Sequence, residues 1–109
     1  MGVVVVRYQT KADRAEENQA LIEKVFGELN AENPDGLRYA SFRLADGVSF
    51  VHVASVETSD GANPLNSSPA FAEFQRQIGD RLEDGPHPSG ATVVGSYRFW
   101  PGDPGAPAA

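Results

Sequence analysis

His52 and His87 carry the side chains of this chain that titrate near neutrality without any help from their surroundings. His52 sits inside a run of strand-favouring residues, Leu37 to Glu57, which reads LRYASFRLADGVSFVHVASVE. Two readings stand for it. It is a general base or hydrogen-bond partner for a phenol or enol, or it is a histidine at a subunit seam, bonded to Ser41 on the neighbouring strand. No carboxylate adjoins it in sequence. His87 lies between Pro86 and Pro88 and reads as an exposed loop residue. Tyr8, a phenol, is the second candidate for chemistry. Arg7, Arg43 and Arg98, placed by alternation beside His52, Tyr39, Ser41 and Ser96, read either as an oxyanion-holding patch or as seam residues that pair with carboxylates. The aromatics Tyr8, Phe42, Phe71, Phe74 and Tyr97, at strand or helical spacing, read as ordinary core. The spacing shows no nucleophile triad, no metal-ligand cluster and no phosphate-binding glycine loop. The chain has no cysteine, so thiolate catalysis, disulfides and zinc-thiolate sites are excluded.

These side chains need elements to hold them. Val3 to Thr10 predicts a first strand, with Val4, Val6 and Tyr8 on the more apolar side and Val3, Val5, Arg7 and Gln9 on the mixed side. A helix follows, with Asp13 as N-cap and Leu21, Ile22, Val25, Phe26 and Leu29 at helical spacing, ending near Glu32 before Asn33-Pro34-Asp35-Gly36. Asp46-Gly47 suits a two-residue hairpin turn, and counting outward pairs Arg43 with Phe50, Ser41 with His52 and Tyr39 with Ala54. One hairpin face then holds Ala40, Phe42, Leu44, Val51 and Val53, read as core. The other holds Tyr39, Ser41, Arg43, Phe50, His52, Ala54 and Val56. Thr58 to Ser68 reads as a loop. Ser68-Pro69 opens a second helix with the stripe Phe71, Phe74, Ile78 and Leu82. Asp84 to Gly90 reads as irregular, Ala91 to Trp100 as the last strand, and Pro101 to Ala109 as a disordered tail.

The order β-α-β-β-α-β predicts an α+β, ferredoxin-like fold: an antiparallel four-stranded sheet with two helices on one face, in a single domain over residues 1–100. The open face would carry Val3, Val5, Phe50, Ala54, Val56, Val94 and Trp100. That is too apolar for water, so a homodimer formed through this face is expected. A formal charge of −6 argues against a nucleic-acid partner, and an RNA-recognition module would also need a stacking motif that is missing here. No apolar run is long enough to span a membrane. Val3 to Val6 is too short for a signal-peptide core. The expected location is the cytoplasm.

A valine-rich first strand, this element order and the run Ser68-Pro69-Ala70-Phe71-Ala72-Glu73-Phe74 together resemble the antibiotic-biosynthesis-monooxygenase-like family of dimeric α+β barrel proteins. The resemblance covers roughly residues 3 to 100. It implies a homodimer, a pocket between sheet and helices in each subunit, and oxidation of an aromatic or quinol-type molecule with dioxygen, without a metal, flavin or other cofactor. Tyr8, Phe42, Phe71, Phe74 and Tyr97 are the residues expected to line that pocket, with Tyr8 supplying a polar group. The chain departs from the family pattern in three places. Ala70 follows Pro69 and no histidine lies between Asn63 and Ser68. The tryptophan near the end of the third strand is replaced by the run Val56-Glu57-Thr58. The second helix lacks the histidine of haem-degrading relatives, which argues against haem degradation. The alternative is a non-catalytic homodimeric barrel that binds a small molecule or has only a structural role.

Overall fold

The computed structural model describes residues 2–99. β1 spans Gly2–Thr10, α1 Ala15–Glu32, β2 Leu37–Arg43, β3 Ser49–Val56, α2 Pro69–Gln75, α3 Ile78–Arg81 and β4 Leu82–Ala91. Short 3-10 turns precede α1 (Ala12–Arg14) and α2 (Pro64–Ser67). All strand pairs are antiparallel, and the sheet order is β2-β3-β1-β4. This is the α+β ferredoxin-like arrangement, with β1 central because its continuous valines suit a strand covered on both faces.

Local chemistry explains the element ends. α1 stops where Asn33 turns left-handed at φ 50° and returns its N–H to the Leu29 carbonyl. α2 starts where the Ser68 hydroxyl accepts the Phe71 N–H at 3.0 Å and Pro69 occupies the first helical position. Glu28 of α1 accepts the same Ser68 hydroxyl and the Ala70 N–H, which ties the two helices together at this end.

The hairpin register matches the sequence expectation: Arg43 opposite Phe50, Ser41 opposite His52, Tyr39 opposite Ala54. Its turn is different. Leu44 donates its N–H to Ser49, so Ala45 to Val48 form a four-residue loop in which only Gly47 takes positive φ. The Asp46 carboxylate accepts the Val48 and Ser49 N–H groups instead of Asp46 entering the left-handed region. Both turn types leave Leu44 facing Ser49, which is why the register survives.

The assignment of hairpin faces is inverted. β3 pairs with β1 so that Tyr8 faces Phe50 and Val6 faces His52. Paired residues share a face, so Phe50, His52 and Tyr39 lie with Tyr8 under the helices, where Tyr8, Phe50, Ile22, Val25, Leu65 and Phe74 form the core. Phe42, expected in that core, is 48% exposed on the opposite face. That open face is built from Val3, Val5, Val51, Val53, Ala40 and Phe42, and Phe50, Ala54 and Val56 do not belong to it. The physical reason is the pairing of β3 with β1: Tyr8 opposite Phe50 turns His52 to the helix side, where Tyr8, Tyr39 and Ser41 meet its two ring nitrogens.

The expected second helix breaks at Arg76–Gln77, where Gln77 adopts φ 55°, and Leu82 already belongs to the next strand. The segment read as irregular, Asp84 to Gly90, is most of β4. It pairs with β1 from Thr10↔Leu82 to Val3↔Ala91, with register shifts between Arg7 and Gln9 and between Gln9 and Thr10. β4 is an edge strand, where Pro86 and Pro88 remove no ladder bond that the sheet needs. Gly85, at φ 99°, is required: a Cβ there would stand 2.9 Å from Tyr8 Cβ. The strand expected over Ala91 to Trp100 is therefore displaced; residues 92–99 are irregular, and Trp100 and the expected tail 101–109 lie outside the described residues.

Candidate functional site

Between the helix side of the sheet and α2 lies a cavity of about 320 Å³. The sheet contributes Val4, Val6, Tyr8, Tyr39, His52, Ala54 and Val56, and the edge strand adds Pro86 and Pro88. The helical layer and the loop before it contribute Asn63, Leu65, Phe71, Phe74, Gln75 and Ile78. The volume falls at the small end of the roughly 300–1,000 Å³ typical of ligand sites. No lysine, arginine, aspartate or glutamate lines it. An occupant would therefore be small and uncharged, since a buried charge without a partner is strongly disfavoured.

His52 is the polar centre of this wall and is only 5% exposed. Its Nε2 lies 2.7 Å from the Tyr8 hydroxyl, and its Nδ1 lies 2.6 Å from the Tyr39 hydroxyl and 2.8 Å from Ser41 Oγ. The Asn18 amide of α1 donates to the Tyr8 hydroxyl at 2.9 Å, and Arg81 Nε donates to Asn18 Oδ1 at 3.2 Å. Rings surround the imidazole: Tyr8 at 5.3 Å, Tyr39 at 5.8 Å and Phe74 at 5.6 Å between centroids. Burial pushes the imidazole pKa down to about 4, so His52 is neutral at pH 7. Burial likewise raises Tyr8 and Tyr39 above the ordinary tyrosine value, which keeps both phenols protonated. Around the imidazole the hydrogen-bonded groups are neutral, and the Arg81 guanidinium stands one residue further back, behind Asn18. The site can accept or shuttle a proton, and it can orient a hydroxyl or carbonyl against an apolar wall.

The structure brings together Tyr8, Tyr39, His52, Phe71 and Phe74 around one cavity, with Ser41 bonded to His52 from behind. It separates the other residues singled out from sequence. Phe42 is on the opposite sheet face, and Tyr97, 68% exposed, lies in the irregular stretch beside Val3 and Val53. The arginines form no patch with His52. Arg7 pairs with Val51 on the far face. Arg43 bonds Gln19 of α1 at 2.7 Å and Glu16 at 2.9 Å, so its carboxylate partner is within the chain rather than across a seam. Arg98 stands over the Tyr97 ring. His87 pairs with Asp84 on the surface.

Asn18 and Arg81 were missed from sequence. Asn18 had a usable signal: it stands on the same helical stripe as the buried Ala15, Ile22 and Val25, and a polar residue in a core position needs a partner. Arg81 had none, because its position depends on the break between α2 and α3. Its guanidinium donates to the Phe74 carbonyl at 2.5 Å and the Arg76 carbonyl at 3.3 Å, and lies 5.3 Å from the Phe74 ring centroid. Among the described residues no group of three or more His, Cys, Asp or Glu side chains could hold a metal ion.

No family model matches the chain, and no curated protein matches it. Solved structures do. Rv0793 from Mycobacterium tuberculosis is 21% identical, with 87% of this chain covering 96% of that one at a TM-score of 0.69. An antibiotic biosynthesis monooxygenase is 14% identical, with 87% of this chain covering all of that one, also at 0.69. A variant of SnoaB, a cofactor-independent oxygenase from Streptomyces nogalater, is 14% identical, with 87% of this chain covering 94% of that one at 0.62. At these identities the likeness carries the fold. The chain has the α+β ferredoxin-like fold of antibiotic-biosynthesis-monooxygenase-like proteins.

Proposed function

We propose that the chain binds a small, uncharged, planar aromatic molecule of phenol or quinol type in this cavity and oxygenates it with dioxygen, without metal or flavin. The observation that carries the reading is an apolar cavity of about 320 Å³ with one neutral polar centre, the Tyr8–His52 pair, in its wall. An activated CH₂ beside a phenol and a carbonyl supplies all the electrons needed. Its proton leaves toward Tyr8 and His52, the resulting carbanion reduces dioxygen, and a C–O bond forms. O–O cleavage with loss of the second C–H proton then yields a carbonyl and one water. The protein's part is to exclude water, hold the ring and move that proton.

The same proposal makes the protein a cytoplasmic homodimer. Val3, Val5, Val51, Val53, Ala40 and Phe42 form an apolar open face, and a second copy of the sheet is the simplest cover. A second reading, binding without turnover, is favoured by one observation: both nitrogens of His52 already have partners within the chain.

The test is oxygen uptake by the purified protein with anthrone under air, alongside His52→Gln. The oxygenase reading expects one dioxygen consumed per quinone formed, and loss of the rate in the variant. Ligand binding without uptake leaves only the second reading. No binding at all sinks both.

A further inference from the structure

The hydrogen bonds around His52 have a direction, and the direction starts outside the cavity. Arginine has N–H donors and no acceptor, so the atom facing Arg81 Nε has to be the Asn18 oxygen. The Asn18 amide then presents its NH₂ to the Tyr8 oxygen. Tyr8 has accepted one bond and still has one proton to place. Tyr8 is 2% exposed, and His52 Nε2 is 2.7 Å away. If Nε2 carried its own hydrogen, it would compete for the same oxygen, and the phenol would be left as a buried donor without an acceptor. With Nε2 bare, the imidazole hydrogen sits on Nδ1, where Tyr39 and Ser41 both offer oxygen.

We propose that Arg81 is a positioning residue for this site: acting through Asn18 and Tyr8, it fixes His52 as the Nδ1–H tautomer with Nε2 as the acceptor. The role is separate from the guanidinium's hold on the end of α2 through the Phe74 and Arg76 carbonyls. It adds to the proposed function the site's proton polarity. Protons move from the cavity side through Tyr8 to His52 Nε2, and Tyr39 and Ser41 take no part as proton sources. The neutral state of the ring at pH 7, set by burial, leaves two tautomers to choose between. Arg81 makes that choice, although it is not among the cavity-lining side chains.

The test reads the tautomer directly and needs no substrate, so it stands apart from the oxygenase reading. Two-bond proton–nitrogen correlation spectra of the full chain, labelled at histidine and recorded at pH 7, distinguish a bare imidazole nitrogen from one bearing hydrogen. The wild type should show Nε2 bare and Nδ1 protonated. Asn18→Asp keeps the shape of the side chain but gives Tyr8 only acceptors, so the phenol should donate to the introduced carboxylate and the hydrogen on His52 should move to Nε2. Arg81→Lys preserves a donor-only partner and should leave the wild-type pattern; Arg81→Met frees the amide to turn and should give a mixture. A dispersed amide spectrum confirms folding for each variant. Should Asn18→Asp not fold, the Lys and Met pair decides. A wild type with Nε2 protonated, or an unchanged tautomer in Arg81→Met, overturns the proposal.

Discussion

Replacing His52 with glutamine should remove most of the loss of stability between pH 7 and pH 5. The folded imidazole has a pKa of about 4 against an ordinary 6.5, with desolvation as the cause. Between those values the unfolded chain binds a proton that the folded chain refuses. Stability therefore falls as pH drops from 6.5 toward 4, and changes no further from this group below that. At about 1.36 kcal/mol per pKa unit, the portion lost between pH 7 and pH 5 is about 2 kcal/mol. Glu17, held low by Arg14, and Asp46 and Asp60, held low by hydrogen bonds from Ser49 and the Ala62 N–H, lose their contributions only as pH falls below their ordinary values of 4.5 and 3.8. The raised phenols of Tyr8 and Tyr39 titrate far above the window. The assay is urea unfolding at both pH values and one fixed protein concentration, since association would shift the midpoint. With a slope of roughly 1–3 kcal/mol per molar urea, the wild-type midpoint should drop by about 1 M, and that of His52→Gln by much less. Equal drops in the two proteins would refute the reasoning, because they would place the titration elsewhere.

Gly85→Ala forces a Cβ to within 2.9 Å of Tyr8 Cβ at a φ of 99°, and should cost more than ~1 kcal/mol in chemical denaturation; an unchanged midpoint would show that β4 can move off Tyr8. Ser68→Ala removes the acceptor for the Phe71 N–H and should lower stability by about 1 kcal/mol, measured the same way. Phe42→Asp places a charge on the exposed edge of the open face. If that face seats a second copy as proposed, sedimentation should show a dimer for the wild type and a monomer for the variant, and a dimer in both would move the interface elsewhere.

Element order and hairpin register were legible because they depend on neighbours in the chain. The Asn33-Pro34-Asp35-Gly36 run ends α1, Ser68-Pro69 starts α2, and the pairing of Ser41 with His52 follows from any turn that leaves Leu44 opposite Ser49. The last strand was not legible. Val93, Val94, Tyr97 and Phe99 have the stronger strand propensity, yet Leu82–Ala91, with its prolines and glycines, takes the place beside β1. Propensity is a weak guide at a sheet edge, where side-chain packing is sparse and a missing N–H costs nothing.

The candidate site divides the same way. Its chemistry was visible as residue types: a histidine, a serine and two tyrosines on paired strands, and two phenylalanines behind Ser68-Pro69. Its location was not, because both hairpin faces are partly apolar and alternation cannot say which one meets the helices. Tyr8 decides it by pairing across from Phe50, which carries His52 inward to the side of the sheet where Asn18 lies. Arg81 joins only because Gln77 breaks the helix. Residues far apart in sequence complete each other's hydrogen bonds there, and contacts of that kind exist only once the chain has folded.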